Sequence, residues 1–123
     1  ALSLVGSEMC IRDRIDAIRN GADGIISVAA NAFPSIMSDT YLSLLWENEN
    51  NKPNVIESLS KVDKSNFILN DFFNLIFEEG NPAGIKFALK CLNLCSDKVR
   101  LPLTEISNDL KLKISDFMTK TKV

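Results

Sequence analysis

The chain has 123 residues, of which 46% are hydrophobic and 24% are charged, and its formal net charge is −2. This nearly neutral balance excludes the strongly basic surface that binds nucleic acid or an anionic membrane, and no apolar run approaches the ~20 residues that span a bilayer. The sequence contains no histidine and only three cysteines, Cys10, Cys91 and Cys95. A structural zinc ion needs more thiol and imidazole ligands than these. We therefore predict no metal, no cofactor, and neither a nucleic-acid nor a membrane partner.

Residues 1–14 contain the stretch SLVGSEMCIRDR, from Ser3 to Arg14. Translation of a common transposase-based sequencing adapter produces the same residues in the same order. We therefore predict that residues 1–14 are derived from an adapter, and we exclude them from the fold as a tag would be excluded. Cys10 lies in this stretch, so its basic neighbours do not indicate a reactive thiol. On this interpretation the domain begins near Ile15.

The next segment has the pattern of the last repeat of an α/β domain. Residues 15–19 are spaced as the end of a helix, and Asn20-Gly21 offers the left-handed residue that terminates one. Residues 24–30, GIISVAA, form a short apolar run with turn formers on both sides, which is typical of a parallel strand buried on both faces. Pro34 then suits the first turn of a helix that runs to about Glu47.

A polar, turn-rich stretch at residues 48–53 predicts the internal boundary of the chain. A long helix is expected from about Asn54 to Phe77, and the polar residues 63–66 allow a break within it. Its last part, FILNDFFNLIF at residues 67–77, is too apolar for a free surface. This segment must therefore pack against other parts of the protein.

Two shorter helices are predicted after it. Asn81 is expected to cap the first, with Pro82 at the first helical position and the end at Asn93. Residues 99–103 are expected to form an extended link because Pro102 disfavours helix in the residue before it. Ser107 is expected to cap the last helix.

The single predicted strand has no partner in this chain. Backbone groups of a buried strand need neighbouring strands, and each unpaired buried group costs roughly 1–3 kcal/mol. No second segment of the sequence has the pattern of a strand. We therefore expect an α/β parent of which this chain, itself mostly α, contains the last β-α unit and a helical appendage.

Three sequence blocks resemble the C-terminal part of the dihydrodipicolinate synthase family. They are GADGIISVAANAFP at residues 21–34, EEGNPAGIKFALKCLNL at 78–94 and VRLPLTEIS at 99–107. They follow one another in the family's order and spacing, and the resemblance covers residues 15–123. The Asn-Pro-x-x-(Ile/Val)-Lys and Arg-Leu-Pro-Leu motifs distinguish this branch from N-acetylneuraminate lyase and the keto-deoxy-sugar aldolases.

The resemblance implies a (β/α)8 TIM barrel truncated to its last unit. Residues 15–47 would hold the end of helix seven, strand eight (24–30) and helix eight (34–47), and residues 48–123 the C-terminal helical domain. The family condenses pyruvate with aspartate-4-semialdehyde in lysine biosynthesis through a Schiff base on a lysine, without a cofactor. The resemblance also implies a cytoplasmic homotetramer for the intact parent.

The resemblance places the Schiff-base lysine and the relay tyrosines upstream of Ile15, so we predict no catalytic residue in this chain and no activity for it alone. Only Ile26 matches a site position, the isoleucine of strand eight whose backbone carbonyl borders the pyruvate pocket. Lys86 does not match the Schiff-base lysine, and we expect it and Lys90 to face solvent. The alternatives are another pyruvate-dependent Schiff-base lyase, or a non-enzymatic helical interaction domain that uses the face of residues 67–77.

Overall fold

The structure is a computed structural model that describes residues 16–18, 20–50 and 57–121. The described part begins with a turn of helix at residues 16–18 and a 3-10 helix at Val28–Asn31. Four α-helices follow it: α1 at Pro34–Asn50, α2 at Glu57–Phe77, α3 at Ala83–Cys91 and α4 at Asn108–Lys120. The stretch assigned to an adapter, residues 1–14, lies outside the described residues.

The segment predicted to be a strand, residues 24–30, does not form one in this chain, and the described residues contain no strand. Residues 24–27 lie outside any helix, and Ser27 is extended with φ −143° and ψ 133°, but Val28–Asn31 turns into a 3-10 helix. A strand requires a neighbour for its backbone hydrogen bonds. Without one, the backbone pairs locally, as when the N–H of Ala30 donates to the carbonyl of Ser27 at 3.2 Å.

The first turns of the domain agree with the sequence prediction. The helical turn at residues 16–18 ends at Gly21, whose φ of 95° lies in the left-handed region, and such a residue commonly terminates a helix. Helix α1 begins at Pro34 as predicted but continues to Asn50 instead of ending near Glu47. Residues 47–50 contain neither glycine nor proline, so nothing in the local sequence stops the helix there.

The predicted long helix is confirmed from Glu57 to Phe77 as α2, without a break at residues 63–66. Its expected start near Asn54 lies outside the described residues. Its apolar end packs into the core as expected: Leu69, Phe72, Phe73 and Ile76 are buried. Phe67 is the exception, with 73% of its surface exposed.

Three aromatic rings from three segments form the centre of the core. The ring of Phe72 in α2 lies 4.8 Å from that of Phe33, in an edge-to-face arrangement, and 5.7 Å from that of Phe117 in α4. Phe72 is fully buried and Phe33 nearly so. Such pairs add to the stabilisation from apolar burial. The rings therefore join the segment before α1 to both α2 and α4.

The start of α3 differs from the prediction by one residue. Pro82, not Asn81, occupies the cap position, no side chain caps the helix, and the Asn81-Pro82 peptide bond is cis. Helix α3 ends at Cys91 rather than Asn93, because Asn93 adopts a positive φ of 58°.

The link before α4 is a turn rather than an extended segment. The Leu101-Pro102 peptide bond is cis, and the N–H of Leu103 donates to the carbonyl of Arg100 at 2.9 Å. The next prediction is confirmed: Ser107 caps α4, and its hydroxyl accepts a hydrogen bond from the N–H of Leu110 at 3.2 Å. In the described part of the chain, no helix has the length and apolar character to cross a membrane.

Candidate functional site

The candidate site lies where residues 24–27 pass along the N-terminal half of α1. A cavity of about 370 Å³ opens between them, lined mainly by apolar groups. The lining residues are Gly24, Ile25, Ser27, Ala30, Pro34, Met37, Ser38 and Tyr41.

Tyr41 connects the two sides of this cavity. Its hydroxyl donates a hydrogen bond of 2.6 Å to the backbone carbonyl of Asp23, which lies 18 positions earlier. The bond holds the start of the 24–27 segment against α1. No local sequence signal indicates this role, since only the fold brings Asp23 near Tyr41.

Ile26, the site residue predicted from the family resemblance, points away from the cavity, and 94% of its surface is exposed. The neighbouring Ile25 lines the cavity instead. The two side chains thus alternate between opposite faces, as in a strand. Among the described residues, no charged side chain lines the cavity, and its polar side chains are the hydroxyls of Ser27, Ser38 and Tyr41.

A second cluster lies between α3 and α4, around the buried carboxylate of Asp97. Lys90 binds one oxygen of Asp97 at 2.9 Å, and Lys111 lies 3.5 Å from the other. The hydrogen bond from Lys90 lowers the pKa of Asp97, although burial of the carboxyl opposes this. Lys111 also binds Glu105 at 2.7 Å, and this hydrogen bond raises the pKa of Lys111. Opposite charges this close favour both ionised forms.

The two lysines of this cluster also flank one aromatic ring. The ammonium groups of Lys90 and Lys111 lie 5.8 and 5.7 Å from the centre of the Phe87 ring, a distance at which a cation is attracted to the ring. Lys86 donates a hydrogen bond to the carbonyl of Lys98. The prediction that both lysines face solvent is confirmed for Lys90, whose side chain is 52% exposed, and is wrong for Lys86, which is half-buried. Both nevertheless tie α3 to the loop that follows it.

Neighbouring carboxylates at the end of α2 hold the start of α4. Glu79 accepts hydrogen bonds from both the N–H of Ser107, at 2.7 Å, and the Ser107 hydroxyl. These bonds, that of the hydroxyl first, lower the pKa of Glu79. Glu78 pairs with Lys113 at 2.7 Å and raises the pKa of that lysine. This cluster and the Asp97 cluster brace the helices and leave no reactive group unpaired for chemistry.

The two cysteines beyond residue 14 are free thiols, Cys91 half-buried and Cys95 exposed. Burial raises the pKa of Cys91, which disfavours the reactive thiolate. Among the residues that the structure describes, no group of acidic and cysteine side chains has the arrangement of a metal site.

Comparison with known proteins decides the family. The model of the dihydrodipicolinate synthetase family matches residues 4–121 of this chain. The chain belongs to this family. The match includes most of the stretch assigned to an adapter, so that assignment stays a prediction.

Relatives within the dihydrodipicolinate synthetase family are curated as 4-hydroxy-tetrahydrodipicolinate synthases. The chain is 38% identical over 97 residues to the synthase of Karelsulcia muelleri, and this alignment covers 79% of the chain and 29% of the relative. The synthase of Pelagibacter ubique is 38% identical over 91 residues, which are 74% of this chain and 29% of that relative. The synthase of Alkalilimnicola ehrlichii is 36% identical over 92 residues, which are 75% of this chain and 28% of that relative. The chain thus spans less than a third of the length of these relatives.

Proposed function

We propose that this chain is the C-terminal part of a 4-hydroxy-tetrahydrodipicolinate synthase. The whole enzyme would condense pyruvate with L-aspartate-4-semialdehyde in lysine biosynthesis. The observation that carries the proposal is the 38% identity over 97 residues to the Karelsulcia muelleri synthase. The described structure agrees with a supporting role for this part. Its two charged clusters pair internally, and no charged side chain of the described residues lines its cavity.

In the proposed whole enzyme, the reaction begins with attack of a lysine amine on the keto group of pyruvate, which forms a Schiff base and releases the keto oxygen as water. We propose that this lysine and the proton-relay tyrosines precede residue 15, so that the chain alone is inactive. Burial that depresses a lysine pKa supplies the neutral amine that such chemistry needs. Lys90 and Lys111 of this chain take part in ion pairs instead.

We assign one residue of this chain to the pyruvate site. Ile26, within barrel strand eight, would place its backbone carbonyl at the border of the pyruvate pocket. The same proposal divides the chain into adapter-derived residues 1–14, a last barrel segment at 15–47 and a helical domain at 48–123. A cytoplasmic homotetramer is proposed for the whole enzyme.

The test starts from the source DNA upstream of the Ile15 codon, sequenced from a library made without the transposase adapter. We expect the reading frame to continue upstream into further β-α units with a lysine at the end of a strand. Expressed whole, this frame should consume aspartate-4-semialdehyde only with pyruvate present, and borohydride should trap one pyruvate on a lysine.

The 123-residue chain itself is the matched control and should trap none. Persistence of SEMCIRDR behind a genuine start codon would contradict the assignment of residues 1–14. A whole protein that cleaves N-acetylneuraminate or a keto-deoxy sugar in preference would contradict the proposed substrates.

A further inference from the structure

A tyrosine of α1 is bonded to the backbone that leads into the candidate site. The Tyr41 hydroxyl donates a hydrogen bond of 2.6 Å to the carbonyl of Asp23, 18 positions earlier. Tyr41 is half-buried and lines the cavity together with Ile25 and Met37. A tyrosine side chain has only two χ angles, so packing of its ring and a bond from its hydroxyl together hold it in one orientation. Tyr41 therefore fixes the Asp23 carbonyl relative to α1.

The segment that begins at Asp23 is held at both ends. At its far end Ala29 is completely buried, and its carbonyl accepts hydrogen bonds from the N–H groups of Ala32 and Phe33 at 3.1 and 2.9 Å. At its near end the Tyr41 hydroxyl holds the Asp23 carbonyl. Three residues of chain span at most about 11 Å, so a shift at Asp23 is passed to Ile26 over a short stretch of backbone.

We propose that Tyr41 is a positioning residue for the pyruvate site of the whole enzyme. This inference rests on the proposed function, in which the Ile26 carbonyl borders the pyruvate pocket. Tyr41 does not touch the substrate in this role. It acts through the Asp23 carbonyl, which sets the point from which residues 24–26 depart, and both partners of the bond belong to this chain.

The expected effect is on pyruvate binding rather than on turnover. A carbonyl at the border of the pocket meets the substrate whether or not the reaction has begun. Its displacement therefore weakens the binding of the ground state and of the transition state alike. Loss of such uniform binding raises KM and leaves kcat unchanged.

A purely structural role for Tyr41 predicts a different result. If the hydroxyl only stabilised the fold, its loss would lower the fraction of molecules that are folded. Fewer active molecules lower the apparent kcat, while the KM of those that remain is unaltered. The two roles thus differ in which kinetic constant changes.

The test uses the whole synthase, expressed from the upstream reading frame, with and without Tyr41→Phe. This substitution removes the hydroxyl and keeps the ring. We expect the KM for pyruvate to rise about two- to tenfold, as the loss of one hydrogen bond of ordinary strength predicts. The kcat and the KM for L-aspartate-4-semialdehyde should stay unchanged. Borohydride trapping at graded pyruvate concentrations should show half-maximal labelling shifted upward by the same factor.

Ser43→Ala is the matched control. Ser43 lies on the same helix, and its hydroxyl also donates to a backbone carbonyl, that of Asp39 at 2.8 Å. Because this carbonyl belongs to α1 itself, the control variant should leave all three kinetic constants unchanged. The positioning role would be overturned by any of three results: a KM for pyruvate that Tyr41→Phe leaves unchanged, a lower kcat as its only effect, or an equal rise of KM in Ser43→Ala.

These outcomes separate the positioning role from the proposed function. A whole enzyme that consumes aspartate-4-semialdehyde only with pyruvate, yet is indifferent to Tyr41→Phe, retains the proposed function and rejects the positioning role. A whole protein without substitutions that shows neither this activity nor a trapped pyruvate rejects both.

Discussion

Gly84 at the start of α3 lies directly against the backbone of Ile76 in α2. A Cβ atom added to Gly84 would lie 2.2 Å from the carbonyl oxygen of Ile76 and 2.8 Å from its Cα. Because the obstacle is backbone rather than a flexible side chain, the two helices can approach this closely only with glycine at this position.

The Gly84→Ala variant should therefore lose stability. The helices must separate, and overpacking of this kind costs roughly 1–3 kcal/mol. Urea unfolding measures the loss. Gly24→Ala is the control, because a Cβ there meets nothing within 4 Å. Equal effects from the two variants would contradict the close contact.

Substitution of Phe72, the ring at the centre of the core, should greatly lower the stability of the protein. Phe72 is fully buried between Phe33 and Phe117, so Phe72→Ala should lower the free energy of unfolding by about 3–5 kcal/mol. Phe67→Ala, on the same helix but 73% exposed, should change it by less than about 0.5 kcal/mol. Thermal unfolding of both variants tests the assignment of the core.

The cap of α4 should contribute measurably. Ser107→Ala removes the hydroxyl that accepts from Leu110 and donates to Glu79, and loss of a cap typically costs about 1 kcal/mol. Ser115→Ala on the same helix should cost far less, since Ser115 is exposed. If the two variants had the same free energy of unfolding, the cap would not contribute to stability.

Acid should weaken the protein partly through Asp97. The pKa of this carboxyl lies below its ordinary value because of Lys90, so the folded state favours the ionised form. The stability that it contributes is fully present above the unfolded pKa of about 3.9 and is lost as the pH falls through the lower folded pKa. In the Asp97→Asn variant, the free energy of unfolding should therefore fall less steeply as the pH is lowered below about 4. A fall as steep as that of the unchanged chain would contradict the prediction.

Loss of the Tyr41 hydroxyl should loosen the candidate site without unfolding the core. Tyr41→Phe removes the 2.6 Å bond to the Asp23 carbonyl, which should cost about 0.5–1.5 kcal/mol. Amide exchange should accelerate at residues 21–27 and stay unchanged in α4. Uniform acceleration along the chain would instead indicate general destabilisation.

Several elements followed from local sequence alone. Pro34 and Ser107 mark the starts of α1 and α4, and Gly21 ends the first helical turn, because proline, serine and glycine act through the backbone of their own turn. The burial of Leu69, Phe72 and Ile76 followed from the apolar character of residues 67–77, and the three blocks that resemble the family anticipated the family match at residues 4–121.

The tertiary structure decided what depends on distant partners. Residues 24–30 carry a strand pattern, yet without a neighbouring strand Val28–Asn31 forms a 3-10 helix. The contact of Gly84 with Ile76, the hydrogen bond of Tyr41 and the ion pairs of Asp97 each join positions separated along the chain. Local propensity acts within a few residues, so the sequence determined where the helices start, and packing determined which groups meet.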